Sequence, residues 1–260
     1  MTLACFAVSL VLGGLLLKYF VPTLSADGKY YLTRPGLRPY CMRRLMRDVL
    51  GTDERRWRWL NWACTVLAAT SVGAYCGSPW ASAVVLGLPV LRVGAALPVL
   101  TDPPALLCLA VSLATGRWEF AALGGLFNEK APLFGALMLW QPLALVGLVL
   151  PSALFAVGTK PLPSDPEWLR TPFKSAFARI ARLGDPNQSV WPWGGALLGF
   201  PHLDVKGWLA VLAGYAQLLM AQDGPRLYQW AAFAVVKQIP PQFLPLAALG
   251  CWVNPRRDDV

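Results

Sequence analysis

The sequence predicts an all-α protein: a polytopic transmembrane helix bundle of about six to eight spans with interfacial amphipathic helices, forming a single integral membrane domain over residues 1–260. Three observations predict it. Of the residues, 56% are hydrophobic and only 14% charged, against about 25% charged in an ordinary soluble domain. Apolar runs of about the 20 residues that a helix needs to cross hydrocarbon recur along the chain. Many of the 12 tryptophans, among them Trp57, Trp59, Trp62, Trp80, Trp118, Trp191, Trp193 and Trp252, stand at the edges of those runs, where indole rings reach the headgroup level. The competing class is a soluble helical protein that uses the same aromatics as core.

The first run, residues 3–24, reads LACFAVSLVLGGLLLKYFVPTL and predicts an uncleaved first span. The small residues of LSA before Asp27 would suit a signal-peptide cleavage site, but MTLAC carries no Lys or Arg and Lys18 interrupts the apolar core. Behind it lies a basic interfacial loop, residues 25–58. In RPYCMRRLMRDVLG, Met42, Leu45, Met46, Val49 and Leu50 share one helical face, with Arg43, Arg44, Arg47 and Asp48 largely on the others, so this helix is expected flat in the interface. TDERRWRW reads as a turn and the basic collar of a second span at 59–77, and a third follows at 80–100. Segments 103–116 and 118–128 are shorter and predict a tight hairpin or one broken span. Spans are expected again at 131–157, 206–222 and 228–252. Between them lies a polar loop, 159–190, with a short amphipathic helix that sets Phe173, Phe177 and Ile180 against Lys174, Arg179 and Arg182.

The cysteines, Cys5, Cys41, Cys64, Cys76, Cys108 and Cys251, are scattered, mostly in apolar runs, without a CxxC pair. They read as small packing residues rather than a disulfide framework or a zinc site. The single histidine, His202 in GFPHLD, excludes a multi-histidine metal site and reads either as a hydrogen-bonded loop residue or as a catalytic one. The net charge of +9 is concentrated in nine Lys or Arg residues from Lys29 to Arg58 and five from Lys160 to Arg182. Such juxtamembrane clusters attract anionic headgroups and lipid phosphates. No soluble basic face or binding motif points to nucleic acid.

Charges within or beside the apolar runs are the remaining candidates. In VLTDPPALLCLAVSLATG, Thr101 or Asp102 is placed to cap a helix that the two prolines begin. FNEKAP sets Glu129 and Lys130 ahead of Pro132, where an interfacial turn is the default, because charges at membrane depth must pair or line a cavity. Asp223 and Arg226 in AQDGPRLYQWA are three apart, a spacing that allows a helical pair and leaves Arg226 able to hold a phosphate instead.

Taken in order, DGKYYL with RPYCMRRL, PVLTDPPALLCLAVSLATG, GRWEFAALGGLFNEKAP and AQDGPRLYQWA resemble the polytopic glycosyltransferases of the GT-C superfamily. The likeness is to the dolichyl-phosphate-mannose mannosyltransferase and aminoarabinose-transferase type, in a short bacterial or phage-type form, and runs through most of residues 1–237. It implies a multi-pass protein of the bacterial inner membrane that moves a sugar from a polyprenyl-phosphate donor to an acceptor at the membrane surface. Asp27, close behind the first span, matches the family's acidic residue, which acts as general base or orients the acceptor. A carboxylate there can take the proton of an attacking hydroxyl. Arg34, Arg38, Arg43, Arg44 and Arg226, with Asp223 beside the last, would hold the lipid phosphate, a task suited to the planar guanidinium fork. Asp102, Glu129, Lys130 and His202 would support them. The resemblance implies no organic cofactor. A divalent metal is compatible with the superfamily, although no second acidic ligand is evident from the spacing. It also implies that loop 29–58 lies outside, whereas the positive-inside rule places that loop in the cytoplasm. Two other classes compete: a non-enzymatic membrane scaffold or lipid-phosphate-binding protein, and a transporter, for which Arg92 in VLGLPVLRVGAALPV is the strongest midplane charge.

Overall fold

Helix is the only regular secondary structure among the described residues, which in this computed structural model are 1–19, 32, 49–88, 101–128, 130–149, 203–210, 212 and 233–253. The first helix, α1, spans Thr2–Tyr19. The turn read from TDERRWRW is present: Gly51 takes φ 69°, and the Asp53 carboxylate accepts the Arg55 N–H at 2.9 Å, capping α2, Glu54–Cys76. At its far end Gly77 adopts the left-handed conformation, and the Gly77 and Ser78 amides close onto the Ala74 and Gly73 carbonyls.

The helix α2 is the centre of the assembly and packs against α1, α3 (Pro79–Gly87) and α4 (Asp102–Thr115). Helices α1 and α2 run antiparallel: Cys5 lies beside Gly73, Gly13 beside Val66 and Trp62, and the Arg58 guanidinium donates to the Leu17 carbonyl at 2.8 Å. Helices α4 and α5 (Trp118–Gly124) form the hairpin that segments 103–128 allowed, and α6 (Lys130–Leu139) packs on both. Here backbones approach closely. A Cβ on Gly135 would strike Ala121, one on Gly124 would strike Ala131, and one on Gly125 would enter the backbone of Gly147. Packing through such small residues is how helices associate in lipid. The last helix, α7 (Leu244–Val253), lies on α3, where the Trp252 indole N–H donates to the Ala83 carbonyl at 2.8 Å. Val72, Val85, Leu86, Leu106, Leu109, Phe134, Phe233 and Leu244 belong to one apolar core.

Three expected spans end earlier or break. Helix α3 stops at Gly87, with Leu88 extended just before Pro89, as the residue preceding proline prefers; residues 89–100 lie outside the described set. The run 131–157 is interrupted at Trp140, which has φ 55°, and resumes as a 3₁₀ turn over Pro142–Leu145. The run 228–252 is broken by IPPQ into 3₁₀ turns at Val236–Gln238 and Pro241–Phe243 before α7 begins. Proline supplies no N–H to the helix ladder, and hydropathy alone does not register that loss. Of the expected 206–222 span, residues 206–210 and 212 are described, and they are helical.

No helix among the described residues is long and apolar enough to cross a membrane. The described part of α1, 18 residues, rises about 27 Å. The 23-residue α2 begins with Glu54, Arg55 and Arg56, and carries Arg58 one turn in. Of the tryptophans at the edges of apolar runs, Trp57 is fully buried, with its indole N–H donating to Gly51 O at 3.0 Å, and Trp59 and Trp80 are exposed. The amphipathic helix read over 42–50 is described only at residues 49 and 50, and the polar loop 159–190 lies outside the described residues.

Candidate functional site

Two of the sequence candidates, Asp102 and Lys130, are described, and both are buried, at 6% and 3% exposure. Asp102 is the first residue of α4, behind Thr101 in the N-cap position. The expected side-chain cap is absent: Thr101 sits in the right-handed helical region and makes no capping bond. The reason is chemical. Pro103 and Pro104 remove two of the first-turn amides that a cap would serve, and Ala105 N–H already reaches the Thr101 carbonyl at 3.4 Å. The Asp102 carboxylate accepts a bond from another element, while the helix N-terminus favours its negative charge.

That other element is the turn between α5 and α6. Asn128 donates from Nδ2 to Asp102 Oδ1 at 3.2 Å and accepts the Lys130 N–H on Oδ1 at 3.1 Å, while its own carbonyl accepts the Ala131 N–H at 3.2 Å. Asn128 thus caps α6 and ties it to the start of α4, and both faces of its carboxamide are used, which fixes its orientation. FNEKAP does form a turn ahead of α6, and Lys130 at its end is buried. Lys130 is drawn inside because α6 begins against α5, with Ala131 packed on Gly124.

The cluster lies back from one end of the assembly. Lys237 Nζ is 3.8 Å from the Tyr75 ring centre, Lys206 Nζ is 5.8 Å from that of Trp140, and Gln238 bonds Asp204, so the C-terminal ends of α2 and α6 lie together. Lys130, at the start of the ten-residue α6, is about 14 Å along the axis from that end.

Asp27, Arg34, Arg38, Arg43, Arg44, Glu129, His202, Asp223 and Arg226 lie outside the described residues, as does Arg92. Asn128 was missed by the reading of charges. Its signal was an asparagine just ahead of a helix start, a residue type whose side chain accepts first-turn amides. Among the described residues no group of three or more His, Cys, Asp or Glu side chains is gathered. The described cysteines, Cys5, Cys64, Cys76, Cys108 and Cys251, are free thiols, with Cys5, Cys64 and Cys251 buried as packing residues. The chain matches no family model, no curated protein and no solved structure.

Proposed function

We propose that this chain is a multi-span membrane glycosyltransferase of GT-C type, moving a sugar from a polyprenyl-phosphate carrier to an acceptor at the membrane surface. One observation carries the reading beyond composition. Two of the four stretches on which the resemblance rests, TDPPALL and FNEKAP, meet through the Asn128–Asp102 bond and bring a carboxylate and a lysine into one buried place in a largely apolar assembly. In this reading Asp27 accepts the acceptor's proton, Arg34, Arg38, Arg43, Arg44 and Arg226 offset the charge of the leaving lipid phosphate, and the Asp102 cluster supports the helices around them.

The test is sugar transfer by purified protein in nanodiscs, offered a panel of polyprenyl-phosphate sugars. Asp27→Asn is expected to lower turnover by roughly 10²-fold, the scale of general-base catalysis. Arg226→Lys should mainly weaken donor binding, because it keeps the charge and loses the fork. Full activity of the Asp27 variant removes that residue from the mechanism. Absence of transfer by the unmodified protein across the panel favours the second reading, a non-enzymatic scaffold or lipid-phosphate-binding protein. That alternative draws on the burial of Asp102 and its use as a lock between α4 and α6.

A further inference from the structure

Trp140 stands at an unusual position. It follows the last residue of α6 with φ 55°, and the next amide, Gln141 N–H, closes back onto the Ala136 carbonyl at 3.1 Å. This is the helix-ending geometry in which glycine is the usual occupant, because a side chain in the left-handed region is strained. The strain holds a tryptophan at the surface: Trp140 is 55% exposed. Lys206 Nζ lies 5.8 Å from its centre. Around Lys206 the helix 205–210 presents Val205, Trp208 and, two residues beyond, Leu212, all exposed and spaced three and four apart, so they share one outward stripe. Leu143, one turn past Trp140, is exposed as well.

We infer that Trp140, Lys206 and the Val205–Trp208–Leu212 stripe form a docking surface for the headgroup and upper-chain region of anionic phospholipid. Exposed indoles beside an apolar stripe match the boundary between headgroups and hydrocarbon, and the lysine supplies the charge complementary to an anionic headgroup. The neighbouring Asp204 carboxylate keeps its charge, and Lys206 and Lys237 together outweigh it, so these three described groups leave one net positive charge at this end. Asp204 is engaged by the Gly207 N–H at 2.8 Å and by Gln238 Nε2 at 2.9 Å. Lys237, over Tyr75 at the same end, extends the cationic rim. The inference rests on the membrane reading above but not on the sugar chemistry.

The experiment uses the full chain in nanodiscs of zwitterionic phospholipid, with and without an anionic phospholipid, each prepared with brominated or ordinary acyl chains. Resistance to alkaline extraction from membranes first establishes insertion, so failure of the membrane reading is seen separately. Trp140→Gly relieves the backbone and should keep or raise thermal stability in neutral detergent. The difference in fluorescence between the unmodified protein and this variant isolates Trp140, and bromine is expected to quench it. Lys206→Gln should lower the preference for anionic over zwitterionic lipid by about fivefold, the contribution of one lysine near an anionic surface. An unquenched Trp140 signal would mean that protein, not lipid, covers this face, and would overturn the inference. Equal preference in the unmodified protein and Lys206→Gln would overturn the headgroup assignment.

Discussion

Two carboxylate–carboxamide contacts tie distant parts of this chain together, and they sit in opposite surroundings. Asp102 and Asn128, 26 residues apart, are buried; Asp204 and Gln238, 34 apart, are exposed. Both serve a helix start, since Asn128 accepts the Lys130 amide and Asp204 accepts the Gly207 amide. The exposed contact is the shorter, 2.9 Å against 3.2 Å, yet it should matter less. Water can replace either partner at the surface, whereas a donor lost from a buried carboxylate is not made good by solvent. Surroundings, rather than length, set the worth of a hydrogen bond here.

Matched substitutions sharpen that contrast. Asn128→Asp replaces a donor with a second carboxylate beside the buried Asp102 and should destabilise by roughly 3 kcal/mol, since repulsion between like charges adds to the lost bond. Thermal unfolding in mild detergent measures it, and a loss below about 1 kcal/mol would break the comparison. Asn128→Ala, which removes the bond without adding charge, is expected to cost about 1.5–3 kcal/mol by the same measurement. At the exposed site Gln238→Glu sets the same chemistry in water and should cost less than about 1 kcal/mol, with the difference shrinking as salt is added. Gln238→Ala should have the smallest effect, a few tenths to about 1 kcal/mol, with little dependence on salt.

The sequence made the helical class legible, along with the turn at Asp53 and the small-residue packing character of the cysteines. It also located Asp102 and Lys130, since a charge in an apolar run is conspicuous. It hid their meeting, because Asn128 carries no charge and its partner lies far away along the chain. It also hid the breaks at Trp140 and IPPQ. A hydropathy window averages over the missing amides of Pro142, Pro240 and Pro241, and nothing in composition announces that a tryptophan will occupy a glycine's conformation. Nor does composition show that the Trp57 indole, at the edge of an apolar run, finds a hydrogen-bond acceptor in Gly51 and is buried.

The bond from Arg58 to the Leu17 carbonyl bears on how the molecule is made. A helix leaves its last carbonyls without partners, and α1 has one of them served by a side chain from the next described long helix. Together with Cys5 against Gly73 and Gly13 against Val66, this contact lies wholly within the first 76 residues. The α1–α2 hairpin can therefore close while the remainder of the chain is still being synthesised, giving α4 a formed surface on which to settle as it emerges.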